Sequence, residues 1–436
     1  MAEASGRPAI KLPGVLRSPA VGGFALMALG AASCGGAAAP SGSSGPSGTV
    51  NVGLLAEFSG ARASLGPAKL QGLQLAAQQI EAAGGCDGHH INIDEVDGPD
   101  PVDTATGLRK ALASDNLSLV IGPDVNSYQT ALPIMEQAKM VNFTYIGTPG
   151  VYSAQHWAYS FRSGPSDAFV GAAMVYAAHL KGYQKIAIAL SSDQGSQDLV
   201  PSMKAMAEHE GMTIVANVSV PINVTSYAGY VADVVNSHPD GVLFQMTTAS
   251  DAGAWSGAWQ HQGGAGIPLI GSDFTATGQY VQALGASFAE AHLTSAIPAL
   301  AVNDAAGTAF LSDFKAKFGA TPAVYAPHFF DSLVVACLAM DQAHSTDPSV
   351  YVKDVTNVTD PAAGHTAVYS YADGYKLIKE GKQIKYYGVG GPMTFTPSHS
   401  VTGPYQVVRT DAQGNTTVLA NITAQALAPG IGPGTE

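Results

Sequence analysis

The sequence is poor in charged residues, and most of its charges are acidic. Only 12% of the residues are Asp, Glu, Lys or Arg, and 33 acidic residues outnumber 20 basic ones, which gives a formal net charge of −13. No run of Lys or Arg occurs anywhere in the chain. Because nucleic-acid binding requires clusters of basic residues, this composition argues against a nucleic acid as partner.

The body of the chain also lacks a long apolar stretch. After residue 48, charged residues, glycine or proline interrupt every apolar run within a few positions. A membrane-spanning helix needs roughly 20 consecutive apolar residues. The sequence therefore predicts no transmembrane segment in this part of the chain.

Signature motifs of the common enzyme classes are missing as well. We find no Gly-x-Ser-x-Gly elbow, no His-Glu-x-x-His, no phosphate-binding loop and no convincing Gly-x-Gly-x-x-Gly after a strand. The 12 histidines are scattered, and His89 and His90 lie in a predicted turn. No nucleophile–base pair, cofactor or metal site is predicted, so the sequence argues against an enzyme.

Cysteine is scarce, with three residues in the chain. Cys86 and Cys337 could form a disulfide if the protein is exported. Cys337, however, lies in an apolar stretch that has the pattern of a buried helix, so two free thiols are the alternative. Their spacing does not resemble a metal site.

The first 33 residues have the parts of a secretory signal peptide. Arg7, Lys11 and Arg17 provide a basic start, and an apolar stretch at 21–32 leads into small residues and Cys34. This stretch is shorter than the roughly 20 residues of a membrane span. A cysteine between small residues at the cleavage point resembles a bacterial lipobox, which implies cleavage before Cys34 and lipidation of its thiol. An ordinary signal peptide with an incidental cysteine is the alternative.

Residues 34–48 are almost wholly Gly, Ala, Ser and Pro. Such a composition buries little surface and predicts a flexible tether. Loss of residues 1–33 would remove three bases and one acid, so the net charge of −13 would become −15. We therefore expect an acidic body held to a membrane by a lipid and a tether.

Strand and helix patterns alternate along the body, with strands predicted at 49–56, 91–96, 117–121 and 141–146 and helices at 101–114 and 127–139. The alternation restarts after a connector at 160–167, with a helix near 168–181 and strands at 185–190, 212–218, 241–246 and 267–271. This order predicts an α/β fold of two doubly wound parallel-sheet lobes.

After residue 300 the pattern becomes mostly helical. A helix is predicted near 366–380, and a strand pair at 393–420 has a turn signal at Asp411–Asn415. Helices that follow two complete lobes suggest that the chain returns to cover the first lobe.

Ligands of open parallel sheets bind beyond the carboxyl ends of the strands, near helix N-termini. The predicted turns at these places are small, polar and rich in hydroxyls and amides. Asp273 differs from them because it offers a carboxylate that could pair with an ammonium group. A helix cap is the alternative role for this residue.

Several segments resemble, in the correct order, the leucine/isoleucine/valine-binding protein family, which has the type I periplasmic-binding fold and serves ABC transporters of branched-chain amino acids. The matching segments are 52–66, 72–93, 100–112, 120–123, 161–167 and 391–395. The resemblance covers about residues 49–420 and implies two lobes that close on a ligand without chemistry.

The resemblance also implies domain boundaries. Three hinge crossings would fall near 161–165, 292–298 and 391–397. Lobe one would comprise 49–162 plus 298–390, and lobe two would comprise 165–292 plus 395–425.

Ligand contacts can be carried over from the family onto matching positions of this chain. They fall on Leu65, Asn126, Ser127, Gly147, Thr148, Gln194, Thr247 and Asp273. Several of these residues differ from the family pattern, in which aromatic residues stand at the positions of Leu65, Gln194 and Thr247. The acidic partner of an α-ammonium group is retained as Asp273.

The sequence therefore predicts a lipid-anchored, extracytoplasmic solute-binding protein of an ABC importer. Its ligand would be an amino acid, branched-chain or other, or a similar small polar metabolite, and its partners would be the transporter permease and the membrane. A ligand-sensing receptor component is the first alternative, and an α/β hydrolase is the second.

Overall fold

The computed structural model of the chain describes residues 48–60, 63, 65–123, 127–145, 147, 157–299, 305–323, 325–396 and 398–432. The predicted signal peptide (1–33), Cys34 and the predicted tether up to residue 47 lie outside the described residues. So do the predicted ligand contacts Asn126 and Thr148.

The first sheet has five strands, all parallel. They are β1 (Gly48–Ala56), β2 (His89–Asp97), β3 (Leu117–Ile121), β4 (Asn142–Thr144) and β5 (Ser160–Arg162). Their order across the sheet is β2-β1-β3-β4-β5. Along β1, Val50, Val52 and Leu54 enter one core, while Leu55 enters the core on the opposite face. This alternation is what a strand buried on both faces requires.

Three helices connect the strands of this sheet: α1 (Leu65–Ala82), α2 (Pro101–Ser114) and α3 (Tyr128–Gln137). The Asp100 side chain caps α2 by accepting hydrogen bonds from the amides of Val102 and Asp103, and Pro101 occupies the first turn. Both features favour a helix start. The bounds of α2 are those predicted from the sequence.

The next segment builds most of the second sheet. Its strands are β6 (Lys185–Ser191), β7 (Thr213–Val220), β8 (Gly241–Gln245), β9 (Leu269–Gly271) and β10 (Leu293–Pro298). Its helices are α4 (Asp167–Leu180), α5 (Gln194–Gln197), α6 (Val200–His209), α7 (Ala228–Val235), α8 (Ala249–His261), α9 (Gly278–Leu284) and α10 (Ala286–His292). Residues 293–298, where a hinge crossing was predicted, therefore form a strand of this sheet.

The chain then returns to the first sheet with α11 (Ala305–Phe318), α12 (Ala326–Ala343), α13 (Pro348–Asn357), β11 (Thr366–Val368), α14 (Tyr371–Lys379), β12 (Ile384–Gly388) and β13 (Gly391–Pro392). The strands β11 to β13 form a small separate sheet. The single helix predicted near 366–380 is wrong at its start. Ser370 accepts a hydrogen bond from the amide of Asp373 and so begins α14 after β11.

The last segment completes the second sheet with β14 (Tyr405–Thr410), β15 (Thr416–Ile422) and α15 (Ala424–Leu427). The strand order is β15-β14-β10-β9-β8-β6-β7, with β14 and β15 antiparallel and the others parallel. Asp411 and Asn415 close the predicted hairpin turn through a backbone hydrogen bond of 3.0 Å. The predicted α/β class with two mainly parallel sheets is confirmed.

Each large sheet has a hydrophobic core on both faces. We call the first sheet with its helices the first lobe, and the second sheet with its helices the second lobe. In the first lobe α12 packs into the same core as α1. A disulfide joins Cys86, in the turn after α1, to Cys337 in α12. Both cysteines are fully buried, which settles the alternative that the sequence left open.

Two of the segments between the lobes lie side by side. The amide of Arg162 donates to the carbonyl of His399 at 2.8 Å, and the Phe161 ring stacks on the His399 ring with a centroid separation of 4.4 Å. Phe395 contacts Phe161 edge-on at 5.3 Å. Within the described residues, none of the helices has the length and apolar character needed to cross a membrane.

Candidate ligand-binding site

A cavity lies between the two lobes, where loops follow the carboxyl ends of the strands. The first lobe contributes Lys69, Pro123, Tyr145, Gly147, Tyr325 and Phe329, which we call the first-lobe face. The second lobe contributes Asp167, Val170, Asp193, Gly195, Leu199, Gln245, Thr247, Asp273 and Phe274, which we call the second-lobe face. The cavity volume is about 40 Å³, which leaves space for about three water-sized groups.

The second-lobe face positions Asp193 through hydrogen bonds within its own loops. Asp193 follows β6 and caps α5, accepting bonds from the Ser196 amide at 3.2 Å and the Ser196 hydroxyl at 2.9 Å. The hydroxyl of Thr247, in the loop after β8, also donates to the Asp193 carboxylate. These bonds fix the carboxylate at the rim of the second sheet.

Asp273 follows β9 and is 6% exposed. Next to it, the Ser272 hydroxyl donates to the side-chain oxygen of Gln245. The Gln245 amide in turn donates to the Ser196 hydroxyl at 2.8 Å. This chain of hydrogen bonds links the loops after β6, β8 and β9, so Asp193 and Asp273 belong to one ordered polar surface.

A third carboxylate, Asp167, stands at the start of α4. Its backbone amide donates to the carbonyl of Gly147 at 2.5 Å, which joins the second-lobe face to the first. A Cβ atom placed on Gly147 would lie 1.6 Å from the Asp167 carboxylate. Gly147 is therefore required here because the approach leaves no room for a side chain.

On the first-lobe face the charge is neutralised locally. Lys69 of α1 forms an ion pair of 2.8 Å with Glu57, and both side chains are only 3% exposed. The Lys69 ammonium lies 6.0 Å from the centroid of the Tyr325 ring and 5.8 Å from that of the Phe329 ring. Glu57 follows β1, so the pair ties α1 to the first sheet.

Aromatic rings cover most of the rest of the first-lobe face. Tyr145 meets Tyr325 edge-on with centroids 5.2 Å apart, and Phe274 of the second lobe approaches Tyr325 at 6.5 Å. Burial, and secondly the charge of Asp273, raise the pKa of Tyr145 well above its usual value. Tyr145 therefore stays neutral and supplies an apolar ring surface. Behind it lies His328, with the two ring centroids 4.7 Å apart.

A buried cation stands behind the carboxylates. Arg162 is fully buried at the end of β5 and does not line the cavity. The pKa of the neighbouring Tyr405 is raised by burial, then by the charges of Asp273 and Asp167, and lowered by Arg162. The positive charge of Arg162 therefore acts on the Tyr405 phenol together with the negative charges of Asp273 and Asp167.

The structure brings three of the predicted contact residues, Gly147, Thr247 and Asp273, to the cavity. The other described candidates do not line it. Leu65 packs against the first-lobe core, and the buried Ser127 hydroxyl accepts a hydrogen bond from Thr104 at 2.9 Å. Gln194 is exposed and donates to Asp198 at 2.5 Å.

Sequence reasoning missed most of the carboxylates and rings at this site. Asp167 lies in the predicted connector, and Asp193 lies in a predicted turn between a strand and a helix. The sequence therefore indicated the kind of segment that holds each residue, but not that either lines a cavity. The Glu57–Lys69 pair gave no signal because its partners are 12 positions apart. Phe329 has the pattern of an ordinary position in a buried helix, and Tyr325 directly precedes that helix.

A family profile described as periplasmic binding protein matches residues 49–415. The branched-chain amino acid transporter substrate-binding protein of Streptococcus pneumoniae, solved in complex with isoleucine, is 20% identical with a TM-score of 0.69, over 86% of this chain and 99% of its own.

Two further solved structures have a similar likeness. A leucine-binding protein of Thermotoga maritima is 16% identical with a TM-score of 0.71, over 86% of this chain and 99% of its own. A solute-binding protein of an ABC transporter from R. palustris, in complex with benzoate, is 18% identical with a TM-score of 0.70, over 86% and 97%. A search of curated proteins found no significant match. At these identities the likeness to solved structures shows the fold.

Proposed function

The chain belongs to the periplasmic binding protein family, and from this premise we propose that it is the extracytoplasmic solute-binding component of an ABC importer. Proteins of this family bind solutes without transforming them, so the prediction that the chain is not an enzyme is confirmed. The observation that carries the proposal is the cavity between the lobes. Its carboxylates and rings converge from both lobes, as a site that encloses a small solute requires.

The proposed ligand is a small solute with an ammonium group, such as an amino acid. Asp273 would accept this group, because its carboxylate lies at the end of β9 and lines the cavity. Tyr145, Tyr325 and Phe329 would receive the apolar part of the ligand. The related structures that hold isoleucine and benzoate support a ligand of this size with an apolar body.

Binding would be coupled to a hinge motion of the two lobes. The cavity volume of about 40 Å³ is too small for an amino acid to enter without movement. We propose that the lobes separate to admit the ligand and close on it, so that contacts from both faces favour the closed state. The closed form would then be the one that the permease recognises.

The protein would be held at the outer face of the cell membrane by a lipid on Cys34, with residues 34–48 as tether. This part of the proposal rests on the sequence, because these residues, apart from Gly48, lie outside the described ranges. Metabolic labelling with a fatty acid in a bacterial host tests it. Label should appear on the full chain and disappear in Cys34→Ala, and label retained by that variant would contradict the anchor.

Thermal unfolding of the full-length chain, purified as the host processes it, tests ligand binding. A ligand that binds only the folded state stabilises it by about 2.7 kcal/mol at one hundred times its Kd. We expect amino acids or related amines to raise Tm without being consumed. Turnover of a compound that binds, or the absence of any shift with amino acids, amides and organic acids, would refute the proposal.

A further inference from the structure

The charges around the cavity point to a more specific ligand class. We propose that the ligand carries a net positive charge: an amine with an apolar body, whose ammonium group is held by Asp193 as well as Asp273. A zwitterionic amino acid or an anionic carboxylic acid would be a poorer ligand. This inference rests on the proposed function and assigns the solute class to the same cavity.

Carboxylates outnumber cations among the described residues in and directly behind the cavity. Three carboxylates line it, Asp167, Asp193 and Asp273, whereas Lys69 is the cation that lines it. Directly behind these groups lie Glu57, paired with Lys69, and the buried Arg162. Four carboxylates thus stand against two cations. A ligand with net positive charge reduces this excess, whereas an anionic ligand adds to it in a poorly hydrated space.

Neither cation is placed to receive a ligand carboxylate. The Lys69 ammonium is 2.8 Å from Glu57 with both side chains almost fully buried. A ligand carboxylate would have to compete with this pair, whose disruption is costly. Arg162 is fully buried and does not line the cavity. The described residues named here therefore offer an ammonium group two carboxylates, Asp193 and Asp273, and offer a ligand carboxylate no accessible cation.

Asp193 and Asp273 are positioned to act on the same ligand. They follow β6 and β9, the two strands that flank β8 in the second sheet. Thr247, after β8, bridges the gap by donating to Asp193, and the Ser272–Gln245–Ser196 hydrogen bonds link the three loops. Ordering the loops that carry these carboxylates before binding reduces the entropy cost of holding a cation between them.

The opposite face suits a cation as well. The rings of Tyr145, Tyr325 and Phe329 face the cavity, and aromatic faces attract ammonium groups within about 6 Å. The same rings provide contact area for an apolar body. An amine with an aromatic or branched aliphatic body matches both faces together.

Two matched ligand series test the charge. Phenethylamine, phenylalanine and 3-phenylpropionate share one ring and differ in net charge, and 3-methylbutylamine, leucine and 4-methylpentanoate form the aliphatic counterpart. Each compound is titrated by calorimetry into the full-length chain. We expect the amine of a series to bind with a Kd at least tenfold lower than that of the amino acid, and the carboxylic acid to bind more weakly than both.

The variant Asp193→Asn tests the second carboxylate, and Asp198→Asn is its control. Asp198 lies five positions away and does not line the cavity. Asp193→Asn should raise the Kd of the amine about tenfold without raising that of the carboxylic acid, and Asp198→Asn should alter neither.

The outcomes separate this inference from the proposed function. Binding of the amino acid or the carboxylic acid as tight as that of the amine would overturn the charge assignment and leave a solute-binding protein. An Asp193→Asn variant that binds the amine as the parent does would also overturn it. Failure of all six compounds and of a broader panel of amino acids, amides and organic acids would refute both.

Discussion

The two faces of the cavity recognise a solute by different means. The first-lobe face presents aromatic rings, and its one charge, Lys69, is neutralised by Glu57 within the same lobe. The second-lobe face presents carboxylates, hydroxyls and an amide held by hydrogen bonds among three loops. Charge pairing is thus supplied by the second lobe, whereas the larger aromatic surface comes from the first, and Val170, Leu199 and Phe274 add apolar contact on the second. Under the proposed hinge motion, a ligand would gain the contacts of both faces only when the lobes are together, which would link affinity to closure.

The largest effect is expected from removing the buried ion pair of the first-lobe face. Lys69→Met removes the ammonium group that pairs with the buried Glu57 carboxylate, and breaking a buried ion pair in this way typically costs 3–5 kcal/mol. We expect the free energy of unfolding to fall by about that amount in denaturant titration. The exposed Lys110 of α2 provides the control, because Lys110→Met should change stability little.

The double variant Lys69→Met with Glu57→Leu sharpens this test. Removing both charges abolishes the buried carboxylate, so most of the lost stability should return. A single variant as stable as the parent would mean that the pair is not buried in solution. A double variant no more stable than the single would assign the loss to packing rather than charge.

On the second-lobe face, Asp273→Asn should weaken ligand binding strongly. The substitution keeps the shape but removes the charge that would pair with an ammonium group, and loss of one partner of a buried charge pair costs about 2 kcal/mol or more. The Kd of the tightest-binding amine should rise at least about 30-fold in calorimetry. Asp233→Asn, an exposed position in α7, is the matched control and should bind as the parent does. An unchanged Kd in Asp273→Asn would remove this residue from the site.

The same contrast explains what could be predicted from the sequence. The second-lobe face is made by loops that follow strands, and apolar strands with polar turns are visible in sequence. The turns that contain Thr247 and Asp273 could therefore be predicted, and the α/β fold was predicted correctly. Part of the first-lobe face comes from helices, where Lys69 and Phe329 follow the same periodicity as core residues. Which of them face a cavity depends on the packing of α1 and α12, which local patterns do not specify.

The ligand contacts carried over by resemblance illustrate a second limit. Leu65 was aligned with an aromatic residue of the family, yet it begins α1 and packs on the first-lobe core. Gln194 stands beside Gly195, which does line the cavity, but its side chain turns to Asp198. Alignment gives the position of a backbone segment, whereas the direction of a side chain depends on its own hydrogen bonds and neighbours.

His328 lies behind Tyr145 of the first-lobe face, and it should make the stability of the folded protein depend on pH. Its Nδ1 donates to the Ser163 carbonyl at 3.0 Å, and burial lowers its pKa from 6.5 to about 4. The folded state therefore binds this proton less readily than the unfolded state. The stability that neutral His328 provides is complete above pH 6.5 and is lost as the pH falls towards 4.

We expect His328→Gln to weaken this dependence. At pH 5 the parent should have lost about 2 kcal/mol relative to pH 7 through this group, and the variant should not show that part of the loss. Chemical unfolding of both proteins at pH 5, 6 and 7 measures the difference. His261→Gln, at an exposed position of α8, is the control and should keep the pH dependence of the parent. Parallel curves of stability against pH for the parent and His328→Gln would contradict the assignment.

The smallest effect is expected from trimming one ring of the first-lobe face. Phe329→Leu keeps an apolar side chain but removes an aromatic surface from the cavity, which should weaken binding of an amine by about 1 kcal/mol, or roughly fivefold in Kd. Phe314→Leu is the matched control, because Phe314 lies in the first-lobe core and does not line the cavity. It should lower Tm without changing Kd.

If Phe329→Leu weakens the binding of the amine and of the carboxylic acid of a series equally, the ring acts by contact area alone. A selective loss for the amine would show that the aromatic face adds to the recognition of charge, and the division between the two lobes would then be one of degree.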